Sequence, residues 1–491
     1  MTLGTGRRLV VGVDSSTQST KAEARDIETG EVVAIASSPH PPTTPPVSEQ
    51  DPDAWWSAMS AAIEQLGDHR HDVAAISVCG QQHGLVVLDD GGRPLRPAKL
   101  WNDTTSAPQA ARLVAELGPE QWAAATGSVP VASFTVSKLA WVAEHEPEIL
   151  ARVARLMLPH DYLTWRLTGE HVTDRGDASG TGWFDASTGS YRPDLVGAAV
   201  GGGDVGAGGD EWIDRLPRVL APFDAAGEIV GDVAASLGLP AGVVVGPGSG
   251  DNMGAALGLG MARGDVAVSL GTSGTVFAVS SSATSDPSAA VAGFASADGG
   301  FLPLVCTLNA TKVTDTVARW LGRDAAGLAE LALVAADDPG TAMLVPYFDG
   351  ERTPNLPDAT GTFAGLTNAT TPEQLALAAH DGVLCGVLDG LEALRCAGAT
   401  VDGRLFLVGG GSRSVAYRQR CADLTGSAVT VPASEETVAT GAAVQAAAVL
   451  EGSDSAPVAA RWQLGAGTVV APARDAGARR DAYRSVADRQ R

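Results

Sequence analysis

The chain alternates between short, dense apolar runs and longer stretches in which apolar residues return every three or four positions. The runs at 9–13 (LVVGV), 73–78 (VAAISV), 243–245 (VVV) and 405–408 (LFLV) are short and rich in β-branched residues, which predicts buried strands. The stretch 266–279 (VAVSLGTSGTVFAV) predicts a strand, a turn of small residues and a returning strand. Helical patterns fill the spaces between. SEQDPDAWWSAMSAAIEQL carries a helix-start signal followed by an amphipathic pattern. Residues 144–182 read as mostly helical, 372–398 as a long helix, and 417–424 as part of another. An Ala-rich helix is expected over 438–450 and a surface helix in the charged tail from Asp475. The biased segment 197–209 (GAAVGGGDVGAGG) predicts a surface loop or insertion. Strands alternating with helices over 491 residues predict an α/β protein of more than one domain.

The candidate chemistry sits where the predicted strands end. The stretch 241–260 (AGVVVGPGSGDNMGAALGLG) runs a strand into glycines 246, 248 and 250, then Asp251 and Asn252 open a small-residue helix. Such glycines let a backbone approach a ligand closely. Asp251 alone reads either as a helix cap or as a chemical group at the mouth of a cleft. The first strand ends in DSSTQSTK (14–21), whose hydroxyls and amides suit an anion, although a hydrophilic hairpin reads the same way. The second ends in GQQHG (80–84), where Gln82 and His83 suit hydroxyl groups or, for the histidine, a structural place. Trp101, Asn102 and Asp103 follow in a loop that suits a sugar site or an ordinary turn. The strand at 405–408 runs into GGGSRS, a strand–glycine–helix turn suited to a nucleotide.

Two of these turns resemble each other. Aligning 266–279 with 10–21 puts Asp14 on Ser269, Ser16 on Gly271 and Thr17 on Thr272, at a spacing of 255 residues. The match predicts two related halves, each opening with a hairpin whose turn can hold phosphate.

Composition narrows the partners. With 57 acidic against 34 basic residues, the net charge is −23 and no basic cluster stands out, which argues against nucleic acid. No apolar run is long enough for a membrane span, and no secretory leader pattern precedes the first strand. Five scattered cysteines (79, 306, 385, 396 and 421) read as free thiols in a reducing compartment, so a cytoplasmic protein is expected. There is no GxxxxGK[ST] loop, no complete dinucleotide fingerprint and no metal-type Cys/His spacing.

In order along the chain, VGVDSSTQSTK, GQQHG, LWND, LPHDYL, GSGDN, SLGTSG, GERTP and LVGGGSRS resemble the FGGY carbohydrate kinases, from about residue 9 to about residue 450. The resemblance implies two ribonuclease-H-like α/β domains of the actin/hexokinase type around a cleft, divided here at 1–245 and 246–491. It implies ATP-dependent phosphorylation, with the 5-hydroxyl of D-xylulose as the expected acceptor. Ribulose, D-arabinitol or xylitol would be the nearest alternatives, and a non-kinase ATP-binding regulator on the same fold a more distant one. Asp251 would be the general base, and Gln82, His83 and Asn252 would hold the sugar, with Trp101 and Asp103 beside them. Asp14 would be the second catalytic carboxylate, positioning Mg²⁺ through water. Ser16, Thr17, Gly271 and Thr272 would line the phosphate path, and Gly410 and Gly411 would seat the adenosine. Lys21, the one cation of the first hairpin, is not expected to reach phosphate. A homodimer is also implied. Two departures stand out: Ser16 replaces the glycine of a DxGT turn, and Gln82 replaces a commoner methionine, which opens the sugar preference.

Overall fold

The computed structural model describes residues 8–201 and 208–490. In the first of its two large sheets, β1 (Leu9–Ser15), β2 (Ser19–Asp26), β3 (Val32–Pro39), β4 (Val73–Gly80) and β5 (Val244–Val245) lie in the order β3-β2-β1-β4-β5. In the second, β6 (Val266–Leu270), β7 (Gly274–Ala278), β8 (Phe301–Thr307), β9 (Leu405–Val408) and β10 (Val429–Pro432) lie in the order β8-β7-β6-β9-β10. In each sheet the second strand runs antiparallel to both neighbours, and the first, fourth and fifth run parallel. This is the ribonuclease-H-like arrangement twice over, so the similarity at a spacing of 255 residues is a repeat of whole sheets. The two hairpins differ in one detail. β1 and β2 pair Ser15 with Thr20, whereas β6 and β7 pair Leu270 with Gly274, so the first turn is a residue longer.

Strands buried on both faces carry apolar side chains at successive positions. Leu9, Val11 and Val13 of β1 face one cluster with Val78 and Trp55, while Val10 faces another with Ala75. Helix α1 (Pro52–Glu64) closes the first cluster. Asp51 caps it by accepting from the Asp53 amide, Pro52 opens it, and Trp55, Met59, Ala62 and Ile63 form its buried stripe. Each fully buried large side chain in that stripe contributes about 1.5–3 kcal/mol.

Further along lie α2 (Pro159–Thr168), α3 (Asp251–Gly258), α4 (Pro372–Cys396), α5 (Thr437–Glu451) and α6 (Gly477–Ala487). The segment 144–182 is mostly helical, but short strands at Arg155–Met157 and Val172–Asp174 interrupt it, each pairing with a distant segment. Of the glycine-rich stretch, 197–200 end a helix, Pro193–Val200, and Gly197 is buried; 202–207 lie outside the described residues. The tail helix is not a simple surface helix either. Tyr483 of α6 is fully buried, and Arg479 reaches Asp381 of α4 at 2.9 Å, a carboxylate that Arg420 also holds at 2.8 Å.

Helix α5 comes late in the chain yet packs on the first sheet, with Ala443, Val444 and Ala447 against Val10 and Ala75. Its other side meets α3 backbone to backbone. A methyl group at Gly441 would overlap the Gly254 carbonyl, and one at Gly258 would overlap that of Thr437. On the sheet side, Gly12 of β1 faces the Ala439 carbonyl in the same way. The Ala/Gly composition of α5 is therefore a packing requirement, because larger side chains would force the layers apart. Gly441→Ala should lower the thermal midpoint, at a cost of about 1–3 kcal/mol. An unchanged melting curve would mean that the seam has slack.

Candidate active site

The ends of β4, β6 and β7 and the start of α3 face a cavity of about 550 Å³. Gln82, His83 and Trp101 line it from loops of the N-terminal half, and Asp251 and Asn252 from α3. Gly271 and Thr272, at the second hairpin turn, close another side. Segments more than 180 residues apart in sequence thus share one wall, and the volume suits a small polar ligand.

Asp251 is the first residue of α3, and Gly250 takes the cap position without a side-chain bond, so the carboxylate is not spent on the helix end. Instead its Oδ1 accepts from Asn252 Nδ2 at 2.8 Å. Burial raises the Asp251 pKa to about 7, the charges of Asp14 and Asp177 add to the rise, and the bonds from Asn252 oppose it. Asp14, next to last in β1, lies beside Cys79 and across from Lys21. Burial raises it to about 7 as well, against the pull of Lys21 and with a further push from Glu436. Its Oδ1 is buried and has no hydrogen-bond partner among the described residues. Lys21 itself turns to Glu436, at the start of α5, at 2.5 Å. That pair ties the first hairpin to the seam and takes up the lysine.

His83 has a positive φ of 65°, a conformation that a non-glycine residue holds only when its surroundings impose it. Here its ring stacks on Phe134 at 5.0 Å and meets Phe294 at 5.3 Å. Burial lowers its pKa to about 3, helped by the charges of Lys138 and Arg352, so the imidazole is neutral. Trp101 is 43% exposed, and its indole N–H donates to Thr17 Oγ1 at 2.9 Å. Thr17 donates in turn to Gln81 Oε1 at 3.3 Å. The Trp101 ring face is therefore what remains for a ligand. Ser16 closes the first turn on the Ser19 carbonyl.

Asp103 is not brought to the cavity. It is fully buried; its Oδ2 accepts from the Ser48 amide, and its Oδ1 accepts from Thr105 and from Lys99 Nζ at 3.3 Å. The loop reading of LWND holds, but this carboxylate folds back to fasten the loop.

Gly410 and Gly411 lie apart from this group, on a second cavity of about 470 Å³ that also takes in Thr311, Ala326 and Tyr417. A short 3-10 turn, Gly410–Arg413, stands between β9 and the next helix, Val415–Thr425. At the second hairpin, Gly271 lines the first cavity and Thr311 the second, and Thr311 donates both its amide and its hydroxyl to the Gly271 carbonyl.

Sequence reasoning passed over two groups. Lys312 and Arg352 line the main cavity, and Lys312 pairs with Asp349 at 2.7 Å. Glu351 steadies that loop by accepting from the Leu308 amide at 2.6 Å and from Asn309 at 3.0 Å. The GERTP motif was the available signal. Behind Asp251, fully buried His160 stands 3.0 Å from Asp177, 3.1 Å from Asp161 and 3.5 Å from Asp174. Burial alone would lower its pKa, but the three carboxylates raise it, so it is an imidazolium. LPHDYL and TDRGD were both visible, but nothing in either fixes that they meet.

Because its neutral form is favoured in the fold, the stability Asp251 lends is full below its unfolded value near 3.8. It is lost as pH rises through about 7. Asp251→Asn should therefore melt above the parent protein at pH 8, with a smaller gain at pH 5. Thermal melts at the two pH values check this; an equal or larger gain at pH 5 would contradict it.

Family models, curated relatives and solved structures all match this chain. The model of the FGGY family of carbohydrate kinases, N-terminal domain, matches residues 9–258, and that of its C-terminal domain matches 266–450. A curated xylulose kinase of Streptomyces rubiginosus is 49% identical, covering 94% of this chain and 92% of its own. The xylulose kinase of Escherichia coli is 36% identical over 85% of each. Among solved structures, the xylulose kinase of Bifidobacterium adolescentis aligns with a TM-score of 0.89 at 44% identity, over 98% of this chain and 99% of that one. Matched by the two family models over most of residues 9–450, and by a relative 49% identical over 94% of its length, the chain belongs to the FGGY family of carbohydrate kinases.

Proposed function

We propose that this enzyme transfers the γ-phosphoryl group of ATP to the 5-hydroxyl of D-xylulose, giving D-xylulose 5-phosphate and ADP. The observation that carries the reading is the Asp251 carboxylate, raised to about 7, on the same cavity wall as Gln82, His83, Gly271 and Thr272. The relatives that bear the name xylulose kinase support this substrate.

A neutral alcohol is a poor nucleophile and must shed its proton as the new P–O bond forms, a task suited to a base poised near neutral pH. Asp251 takes that proton. Gln82, His83 and Asn252 hold the sugar hydroxyls, and the Trp101 face bounds the sugar. A neutral His83 offers one ring N–H and one acceptor, so it recognises hydroxyls without adding charge. Ser16, Thr17, Gly271 and Thr272 guide the phosphates, and Gly410 and Gly411 seat the adenosine end. Asp103 drops out of this assignment, since its oxygens are already engaged.

A divalent cation such as Mg²⁺ fits the unpartnered oxygen of Asp14. Asp14 would hold it through water, because Mg²⁺ gives up its hydration reluctantly. When bound, it would neutralise charge on the transferring phosphates. The lobes 1–245 and 246–491 close on the substrates in this reading, and closure excludes water that would hydrolyse ATP. Strand pairing runs to Ser249–Gly250 in the first sheet and resumes at Val266 in the second, so the two sheets part between 250 and 266, a little beyond that division. Five free cysteines, three of them buried, suit a reducing cytoplasm.

ADP release with Mg-ATP tests the substrate over D-xylulose, L-ribulose, D-ribulose, xylitol, D-arabinitol, glycerol and no sugar. Preference for D-xylulose is expected; preference for a pentitol or ribulose would keep the chemistry and move the substrate. Sugar-independent hydrolysis alone would refute the kinase reading. Asp251→Asn should lose about 10²–10⁴-fold in kcat while still binding nucleotide, and undiminished turnover would overturn its role as base.

A further inference from the structure

Asn252 has two amide hydrogens, and both are spent. One goes to Asp251 Oδ1 and the other to Gln82 Oε1, each at 2.8 Å. Asp251 is thereby held by one oxygen, which leaves Oδ2 for the substrate proton. Asn252 cannot hold this pose alone, because an amide can turn over and present its carbonyl to the carboxylate. The Gln82 carbonyl prevents that: with Asn252 reversed, two acceptors would face each other at Gln82 and two more at Asp251. A buried pair so mismatched is costly, since neither group can turn to water.

Gln82 is itself fixed. It is 5% exposed, and its Cγ and Cδ press so closely on Gly250 that a side chain there would collide with them. The strand carrying the GQQHG turn pairs with Ser249–Gly250 through Cys79 and Gly80, so glutamine and aspartate are set by one piece of sheet. With its oxygen given to Asn252, Gln82 keeps its Nε2 hydrogens, and Nε2 is buried without a partner among the described residues. A buried donor in a cavity wall calls for a ligand acceptor.

We propose that Gln82 is a positioning residue for Asp251, acting through Asn252, and that its Nε2 donates to an oxygen of the bound sugar. A sugar that engages Nε2 locks the amide, the amide locks Asn252, and Asn252 locks the base. Substrate occupancy and base alignment are then one linked event. This rests on the reading of Asp251 as the base.

The test is a double-mutant cycle in kcat and sugar KM with Gln82→Met, Asn252→Ala and the pair. Methionine is close in volume, cannot donate to the sugar and offers Asn252 only a weak thioether acceptor. Gln82→Met should lower kcat about tenfold and raise the KM for sugar, leaving the KM for ATP unchanged. Asn252→Ala should lower kcat at least as much, and the double variant should be no slower than Asn252→Ala alone. A kcat unchanged in Gln82→Met, with only sugar KM raised, overturns the relay and leaves Gln82 a simple sugar contact. Effects on kcat that multiply in the double variant overturn it too. Gln82→Leu serves as the second variant should the methionine protein not melt cooperatively. Asp251→Ala separates the two ideas: full activity there defeats the base reading itself, whereas an inactive Asp251→Ala beside a Gln82→Met of normal kcat defeats only the relay.

Discussion

The structure depends on one close contact, the seam where helix α5 lies between the first sheet and the catalytic helix α3. Backbone meets backbone at Gly441 and Gly254, at Gly258 and Thr437, and at Gly12 and Ala439. Polar groups cross the same seam: Gln445 accepts from Ser77 at 2.6 Å and donates to the Gly248 carbonyl at 3.0 Å, in the turn just before Asp251. Lys21 with Glu436, and Arg25 with Thr440, fasten the hairpin strand β2 to this helix. A segment near the end of the sequence therefore sets where the catalytic turn sits. Contacts without side chains between them leave little room for tilt, so the turn inherits its precision from the seam.

The cost of that precision is electrostatic. Asp14, Asp251, Asp161, Asp174 and Asp177 crowd one region from which much water is excluded, and burial is the largest cause of the rise in each of Asp14, Asp161, Asp174 and Asp251. His160 as an imidazolium offsets part of this charge behind the base, and Lys21 part of it in front. A cleft that already repels its own carboxylates gains from any cation that arrives with a substrate. Burial first, and this repulsion second, hold the Asp251 pKa near 7, where a base works best.

Much of this was legible in sequence because strands and turns are local. The β-branched runs, the Gly-rich turn before Asp251 and the paired hairpins each follow from residues within about ten positions, and short continuous apolar runs bounded by turn residues leave few alternatives. The motif order also carried the family. Asp103 and Asp251 show where local reading stops. Both are aspartates just past strand ends, one in a loop and one at a helix start, and no short-range pattern fixes which partners close around them. Lys99, Thr105 and Ser48 close around one; a glycine cap and distant acidic charges leave the other available.

By itself, the sequence determined the two hairpin-led sheets, the helices between them and the family, because short-range periodicity and turn chemistry specify these. Tertiary structure decided the rest. The meeting of His160 with Asp174 and Asp177, the capture of Lys21 by Glu436 across 415 residues, and the bond from Asn252 to Gln82 across 170 all depend on how the sheets pack. Side-chain identity sets what each group can donate or accept. Only the fold sets which partner lies within three ångströms, and in a buried site that partner decides charge, orientation and role.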